Sequence, residues 1–177
     1  MSVAEHIYLH IPFCDGKCVY CGFFSQPYGV SLADHYIEAV GKELDLQCGG
    51  RQPAPQTIYL GGGTPSILSE EQLSRLCRVV RDRASVNALK EWTVEANPGT
   101  LPASKLFMLK EAGVNRVSIG AQSFDDKVLK SIGRRHDSGE IALTVKAVRS
   151  AGFERVGLDL IAGLPGVELP MWRKTIQ

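Results

Sequence analysis

Two stretches of this 177-residue chain are renderings of one passage: Gly113-Val-Asn-Arg-Val-Ser-Ile-Gly120 and Gly152-Phe-Glu-Arg-Val-Gly-Leu-Asp159, 39 residues apart. Each opens on a glycine at the end of a helical pattern, where a left-handed turn suits a residue without Cβ, and runs into a short apolar strand. A repeated βα unit forces parallel strands joined by right-handed crossovers, because strands running one way need a helix to return. The rest of the chain alternates likewise. Apolar patterning predicts strands near 7–11, 57–60, 92–96, 115–120 and 155–161, and helices near 32–47, 70–83, 103–112 and 139–151. In the second helix Ser69 and Gln72 form a capping box, and Leu73, Leu76, Cys77 and Val80 make an i, i+3, i+4, i+7 stripe that puts Cys77 in the core. Cys48, ending the first helix, reads as structural too.

Strand parity separates two faces. Ile7, Leu9 and Ile11, then Ile58 and Leu60, then Trp92, Val94 and Ala96, then Val117 and Ile119, then Val156, Leu158 and Leu160 form the apolar set. The opposite face carries Tyr8 and His10, Tyr59 and Gly61, Thr93 and Glu95, Ser118 and Gln122, Gly157 and Asp159. Successive side chains alternate between faces, so the apolar set lies under the helices and the polar set points inward. A complete eight-stranded barrel fills its interior with bulky branched residues, so a lumen of Glu, Gln, Asp and Gly argues for a wider, incomplete barrel around a polar ligand. The polar residues also gather at the C-terminal strand ends, where barrels place their sites: Gly61 to Thr64 after the second strand, Glu95 and Asn97 after the third, Gln122 and Ser123 after the fourth.

The loop after the first strand carries Cys14, Cys18 and Cys21, spaced C-x-x-x-C-x-x-C. Gaps this short let one loop place three sulfurs on three corners of a [4Fe–4S] cube, which leaves one iron open to a substrate or cofactor. Zinc is the competing reading, but a structural zinc site needs four ligands and no second C-x-x-C exists. His6 or His10 could join only by distorting the strand. Three of the five cysteines fall within eight residues, which argues against unrelated buried thiols.

Charge and hydropathy exclude other classes. With 20 basic and 19 acidic residues and 44% hydrophobic residues, the chain suits one globular domain and lacks the basic stripe of a nucleic-acid binder. Arg75, Arg78, Arg81 and Arg83 share their helix with Glu70, Glu71 and Asp82, a solvated face. No apolar run is long enough to span a membrane, and Met1 to His6 lacks the basic and apolar regions of a signal peptide, so a cytoplasmic location is expected. Unpaired cysteines suit that reducing compartment.

The cysteine loop, with Tyr20 before its last cysteine, resembles the radical S-adenosylmethionine (SAM) superfamily. Further motifs narrow the resemblance: Tyr8-x-His10-Ile-Pro-Phe-Cys14, Gly61-Gly-Gly-Thr-Pro-Ser66, Glu95-x-Asn-Pro98, Gly120-Ala-Gln-Ser-Phe124, Gly133-Arg-Arg-His136 and Asp159-Leu-Ile-x-Gly-Leu-Pro165. Together they resemble the oxygen-independent coproporphyrinogen III oxidase family, and within it the HemW-type heme chaperones, over nearly the whole chain. The resemblance implies an α/β partial (β/α)6 TIM-like barrel. Residues 1–177 would supply about five βα units of it, as one radical SAM core domain without the sixth strand and C-terminal region. It implies cluster ligation by Cys14, Cys18 and Cys21, chelation of the open iron by SAM, and one-electron cleavage of SAM to methionine and a 5′-deoxyadenosyl radical. SAM contacts are implied at Tyr8, Tyr20, Gly62, Gly63, Thr64, Glu95, Gln122, Arg134 and Asp159, with Gln122, Arg134 and Asp159 at positions that include a second SAM in the oxidase. An electron donor, heme or a porphyrinogen, and heme-acceptor proteins are the implied partners.

Position 23 bears on the subfamily. The oxidase resembles C-x-x-x-C-x-x-C-x-C, whereas Phe23 stands two residues after Cys21 and supplies no thiol. Heme binding and delivery is therefore the expected function. Oxidative decarboxylation of coproporphyrinogen III is the alternative, and an RNA-modifying radical SAM enzyme is disfavoured by the charge balance. Whether the chain is an enzyme stays open here, as do the heme ligands. Arg135 and His136 are expected to be a solvated helix start, His6, His35 and His136 to be surface histidines, and His10 to support the cluster loop. Residues 168–177 read as the opening of a further helix, and an uncovered last strand is expected to make the isolated chain self-associate or be marginally stable.

Overall fold

The computed structural model describes residues 5–176. The expectations that rest on Met1–Ala4 and Gln177, for the absence of a leader and the end of the last helix, lie outside the described residues. The strands of the main sheet are β1 (His6–Ile11), β4 (Thr57–Gly62), β5 (Glu91–Ala96), β6 (Arg116–Gln122) and β7 (Arg155–Leu160). They pair in the order β1-β4-β5-β6-β7, every pair parallel. Between them run α1 (Val30–Cys48), α2 (Glu70–Arg83), α3 (Ala103–Ala112), α4 (Asp126–Ser131) and α5 (Ser138–Ser150), and α6 (Leu169–Thr175) follows β7. Sequential strand order with returning helices is the winding of a TIM-like barrel left incomplete. Among the described residues no helix is long and apolar enough to cross a membrane.

The core lies between the sheet and α1–α3. Ile58, Leu60, Trp92, Val94, Val117 and Ile119 are buried against Ile37, Leu73, Leu76, Val80, Leu106 and Leu109. Cys77 is buried as its stripe predicts, and burial pushes its thiol up to about 12. The capping box of α2 is present: Gln72 N–H donates to Ser69 Oγ at 3.1 Å, and Ser69 N–H donates to Gln72 Oε1 at 3.2 Å. Gly113, with φ 102°, and Gly152, with φ 84°, hold the left-handed turns that define the repeat.

Three features depart from the sequence reading. At the sheet's far edge the apolar parity weakens: Leu158 is exposed, and Leu160 packs with Ala121, Leu129 and Ile141 in a small separate cluster. Leu158 still pairs in register with Ile119 but stands on the sheet's edge strand; a register irregularity follows between Ile119 and Gln122, with Gln122 itself at φ 67°. Second, α4 has only six residues, too few to show periodicity; it is started by Asp125, whose Oδ1 accepts from Lys127 N–H and Val128 N–H. Third, Cys48 is only half-buried at the end of α1.

The inner face satisfies much of its polarity internally. Arg116 and Arg155 reach Glu91 at 3.5 and 3.6 Å near the strand starts, and Ser118 donates to Asp159 at 3.1 Å further along. Buried Lys105 donates to the carbonyls of Ser66 and Leu68, at 2.8 and 2.9 Å, and so pins the 3-10 turn Pro65–Ile67 that follows β4. Burial lowers the pKa of that lysine.

Candidate functional site

A cavity of about 470 Å³ opens at the C-terminal ends of the strands. Cys14, Cys18, Cys21, Tyr20, Gly62, Gly63, Thr64, Glu95, Gln122, Arg134 and Asp159 all line it, from segments scattered over 146 positions of sequence, and Asn97, Phe23, Lys17, Arg135 and His136 are also in its wall. Tyr8 is not part of the lining. It sits to one side, with its hydroxyl on His10 Nδ1 at 3.1 Å and its ring stacked on Tyr59.

The cysteine loop is held at both ends by backbone. Strand β2 (Phe13–Cys14) pairs with β3 (Gln26–Pro27), Gln26 N–H donates to Pro12 O at 2.8 Å, and Tyr28 N–H donates to Cys14 O at 2.9 Å. Between these anchors, His10 Nε2–H donates to Phe24 O at 2.9 Å, which leaves Nδ1 to accept from Tyr8. His10 therefore braces the loop from the strand below. Lys17 Nζ donates to Phe23 O at 2.6 Å from within the loop.

The glycine run is shaped by its protein neighbours at every position. A Cβ on Gly63 would lie 2.6 Å from Phe13 O and 2.7 Å from Ile11 O; one on Gly62, whose φ is 108°, would lie 2.5 Å from the His10 ring. The amides are committed as well: Gly62 N–H to Glu95 Oε2 at 3.0 Å, Gly63 N–H to Ile11 O at 2.8 Å, Thr64 N–H to Phe13 O at 2.7 Å. The run thus brings bare backbone to the cavity wall without loose N–H donors. Thr64 Oγ1 accepts from Asn97 Nδ2 at 3.1 Å and lies 3.6 Å from Cys14 Sγ; a thiolate there has no proton to give, so toward it the Thr64 O–H is the donor.

Arg134 ties the cysteine loop to the strand ends. Its Nη2 donates to Gly120 O at 2.6 Å and Asn97 Oδ1 at 2.7 Å, while Nη1 lies 3.8 Å from Cys18 Sγ and 3.4 Å from the Tyr20 hydroxyl. Burial pushes the Tyr20 phenol up to about 12, with the Arg134 charge pulling the other way. Val19 N–H to Ile132 O adds a backbone bond across the same seam. His136 corrects an expectation: it is 8% exposed, not a surface residue, and its Nε2–H donates to Ala121 O at 3.3 Å. Desolvation, then Arg134, lowers its pKa. Its neighbour Arg135 is exposed and pairs with Asp15 at 3.1 Å, so the segment 133–136 clamps the cysteine loop instead of opening a solvated helix. No local pattern in the sequence signals the clamp, because Arg134 and Arg135 meet Cys18 and Asp15 across more than a hundred residues.

The donor set fits a cluster with an adjoining cofactor. All three thiols are outside any disulfide, and Cys14 and Cys18 face an O–H and a guanidinium, donors that suit thiolate sulfur. Among the described residues no three His, Cys, Asp or Glu side chains converge as a single metal ion requires, whereas a cubane takes its thiolates on separate irons. Arg134 Nε is buried without a partner among the described residues. Glu95 and Asp159 enter the cavity with no cation paired to either among those residues, held by Tyr59, Gly62 and Ser118 instead. An inward carboxylate so arranged offers acceptors to hydroxyl or ammonium groups of a ligand.

Comparison with known proteins agrees with this chemistry. Heme chaperone HemW of Bacillus subtilis (strain 168) is 44% identical over 164 residues, which cover 92% of this chain and 43% of that protein. The same name recurs among relatives at 34–44% identity. Anaerobilin synthase of Escherichia coli O157:H7 is 33% identical over 169 residues, 94% of this chain and 38% of that one. Among solved structures, the radical SAM enzyme coproporphyrinogen III oxidase (HemN) from Escherichia coli superposes with a TM-score of 0.89 at 30% identity, over 98% of this chain and 41% of that one. The chain therefore spans less than half the length of these relatives. Residues 8–177 match the family described as the Radical SAM superfamily, and the chain belongs to it.

Proposed function

We propose that this chain holds a [4Fe–4S] cluster on Cys14, Cys18 and Cys21, binds SAM in the same cavity, and serves in its complete protein to bind heme and deliver it to acceptor proteins. The observation that carries the first part is the convergence of three cysteines with the inward polar ends of four strands on one cavity. When bound, such a cluster supplies one electron at an iron that SAM can chelate. The chain's own residues bind and orient: Glu95 and Asp159 accept from SAM hydroxyl or ammonium groups, Gln122 and Arg134 flank them, Tyr20 and Thr64 border the sulfurs, and Gly62 and Gly63 allow close approach. Tyr8 acts one step back, by fixing the tautomer of His10 and through it the loop.

Phe23 supports delivery of heme over oxidation of a porphyrinogen. It lines the cavity, largely exposed, where the oxidase pattern has a cysteine, and an apolar ring replaces neither a thiol's ligation nor its hydrogen bonds. The recurrent heme chaperone name among the relatives points the same way. Oxidation of coproporphyrinogen III is the second reading, favoured by the close superposition on HemN. In the complete protein with SAM and a reductant, the proposal expects heme binding and no conversion of coproporphyrinogen III. Turnover of that substrate without heme binding would reverse the ranking.

A further inference from the structure

Tyr59 lies on β4, inner face, outside the cavity lining. Its hydroxyl donates to Glu95 Oε1 at 2.6 Å, while Gly62 N–H donates to Oε2 at 3.0 Å. Each oxygen of the carboxylate therefore has one neutral donor from the chain, which fixes the plane of the group and leaves its remaining lone pairs to the cavity. Two further observations show that the phenol itself is fixed. Its ring stacks on Tyr8 with centroids 6.0 Å apart and planes 29° apart. It also crosses Gly61, where a Cβ would lie 2.6 Å from Tyr59 Cε1 and 2.9 Å from Glu95 Cδ. Gly61 is bare because Tyr59 and Glu95 meet above it. Burial, then the bond to Glu95, raises the phenol's pKa, so the O–H remains a donor at neutral pH.

We propose that Tyr59 is the positioning residue of the cofactor-binding carboxylate Glu95: it touches no ligand, and through Glu95 it sets how tightly SAM is held. Packing alone would place an aromatic ring here, and phenylalanine would satisfy it. The hydroxyl matters only if the orientation of Glu95 matters. This rests on the reading that Glu95 contacts SAM, and the experiment separates the two claims.

Anaerobically reconstituted wild type, Tyr59→Phe, Glu95→Gln and the double variant are titrated calorimetrically with SAM, and the melting temperature of each is recorded. Tyr59→Phe keeps the stack and loses one hydrogen bond to a charged group, so affinity should fall about tenfold while the melting temperature drops by a few degrees at most, leaving the protein folded at the titration temperature. The double variant should bind no more weakly than Glu95→Gln, because Tyr59 acts only through that carboxylate. Gly61→Ala, which drives the two side chains apart, should lower affinity as Tyr59→Phe does. Wild-type affinity in Tyr59→Phe beside weak binding in Glu95→Gln would overturn the positioning role and leave the SAM contact standing. Wild-type affinity in both variants would overturn the contact and the role with it. Losses that add in the double variant, or a lowered melting temperature that accounts for the weaker binding of Tyr59→Phe, would also overturn it.

Discussion

Gly63→Ala should unseat the cysteine loop, and its size follows from the packing. The added methyl would lie 2.6 Å from Phe13 O, 2.7 Å from Ile11 O and 3.0 Å from Phe13 N, all backbone, so no flexible side chain can swing aside. Room appears only if the glycine run and the segment 11–13 separate, which stretches the bonds from Gly63 N–H to Ile11 O and from Thr64 N–H to Phe13 O. Overpacking of this kind costs about 1–3 kcal/mol, and losing one net backbone hydrogen bond adds about 1 kcal/mol. For a domain of this size about 2–4 kcal/mol lowers the melting temperature by roughly 5–15 °C. Phe13 precedes Cys14, and a ligand displaced by more than about 0.5 Å leaves its productive geometry, so iron and sulfide content after reconstitution should fall too. Gly22→Ala is the control: its Cβ meets nothing within 4 Å among the described residues, although it sits between Cys21 and Phe23. Gly63→Ala with wild-type melting and full iron content would refute the reasoning.

Glu95→Ala and Asp159→Ala should each weaken SAM binding in a titration while leaving the melting temperature nearly unchanged, because each removes a cavity-lining carboxylate whose chain partners are neutral donors, and water entering the vacated space from the cavity can take the carboxylate's place on them. Stability should decline at alkaline pH: Cys77 keeps its proton in the fold to about 12 against an ordinary value of 9.0, so its contribution is full below pH 9.0 and is lost as pH rises from there towards 12. Chemical denaturation across that range should show the decline. In Cys77→Ala the slope should flatten without vanishing, since the Tyr36 phenol is also held protonated to about 12.

The fold was legible because its signals are local and repeated. The capping box at Ser69, the glycines at 113 and 152 and the alternation along each central strand all report on residues a few positions away, and the structure keeps them. Parity failed at β7, where alternation along the strand cannot tell that Leu158 stands on the sheet's edge. Part of the cavity was legible for the same reason as the fold: parity and the strand ends point to Gly62, Gly63, Thr64, Glu95, Asn97, Gln122 and Asp159, spacing points to the three cysteines, and only the family resemblance pointed to Tyr20 and Arg134. What stayed hidden depends on contacts between distant segments. The bond from Tyr59 to Glu95, the burial of His136 against β6 and the clamp of Arg134 on Cys18 span 36, 15 and 116 positions, and each uses a residue whose type alone is compatible with an ordinary surface role. Tyr8 shows the opposite error. Its inward parity is real, yet it lies on an edge strand beside the cavity, and parity cannot tell how far along the inner face a side chain reaches.

The cluster proposed on Cys14, Cys18 and Cys21 leaves one iron that SAM can reach in this cavity. Mössbauer spectroscopy of anaerobically reconstituted, iron-57-labelled protein, before and after SAM, tests it most directly. A cubane signal in which one iron site alone shifts on adding SAM is expected, with loss of that signal in Cys18→Ala. A spectrum unmoved by SAM, or a full cluster retained when all three cysteines are alanine, would contradict it.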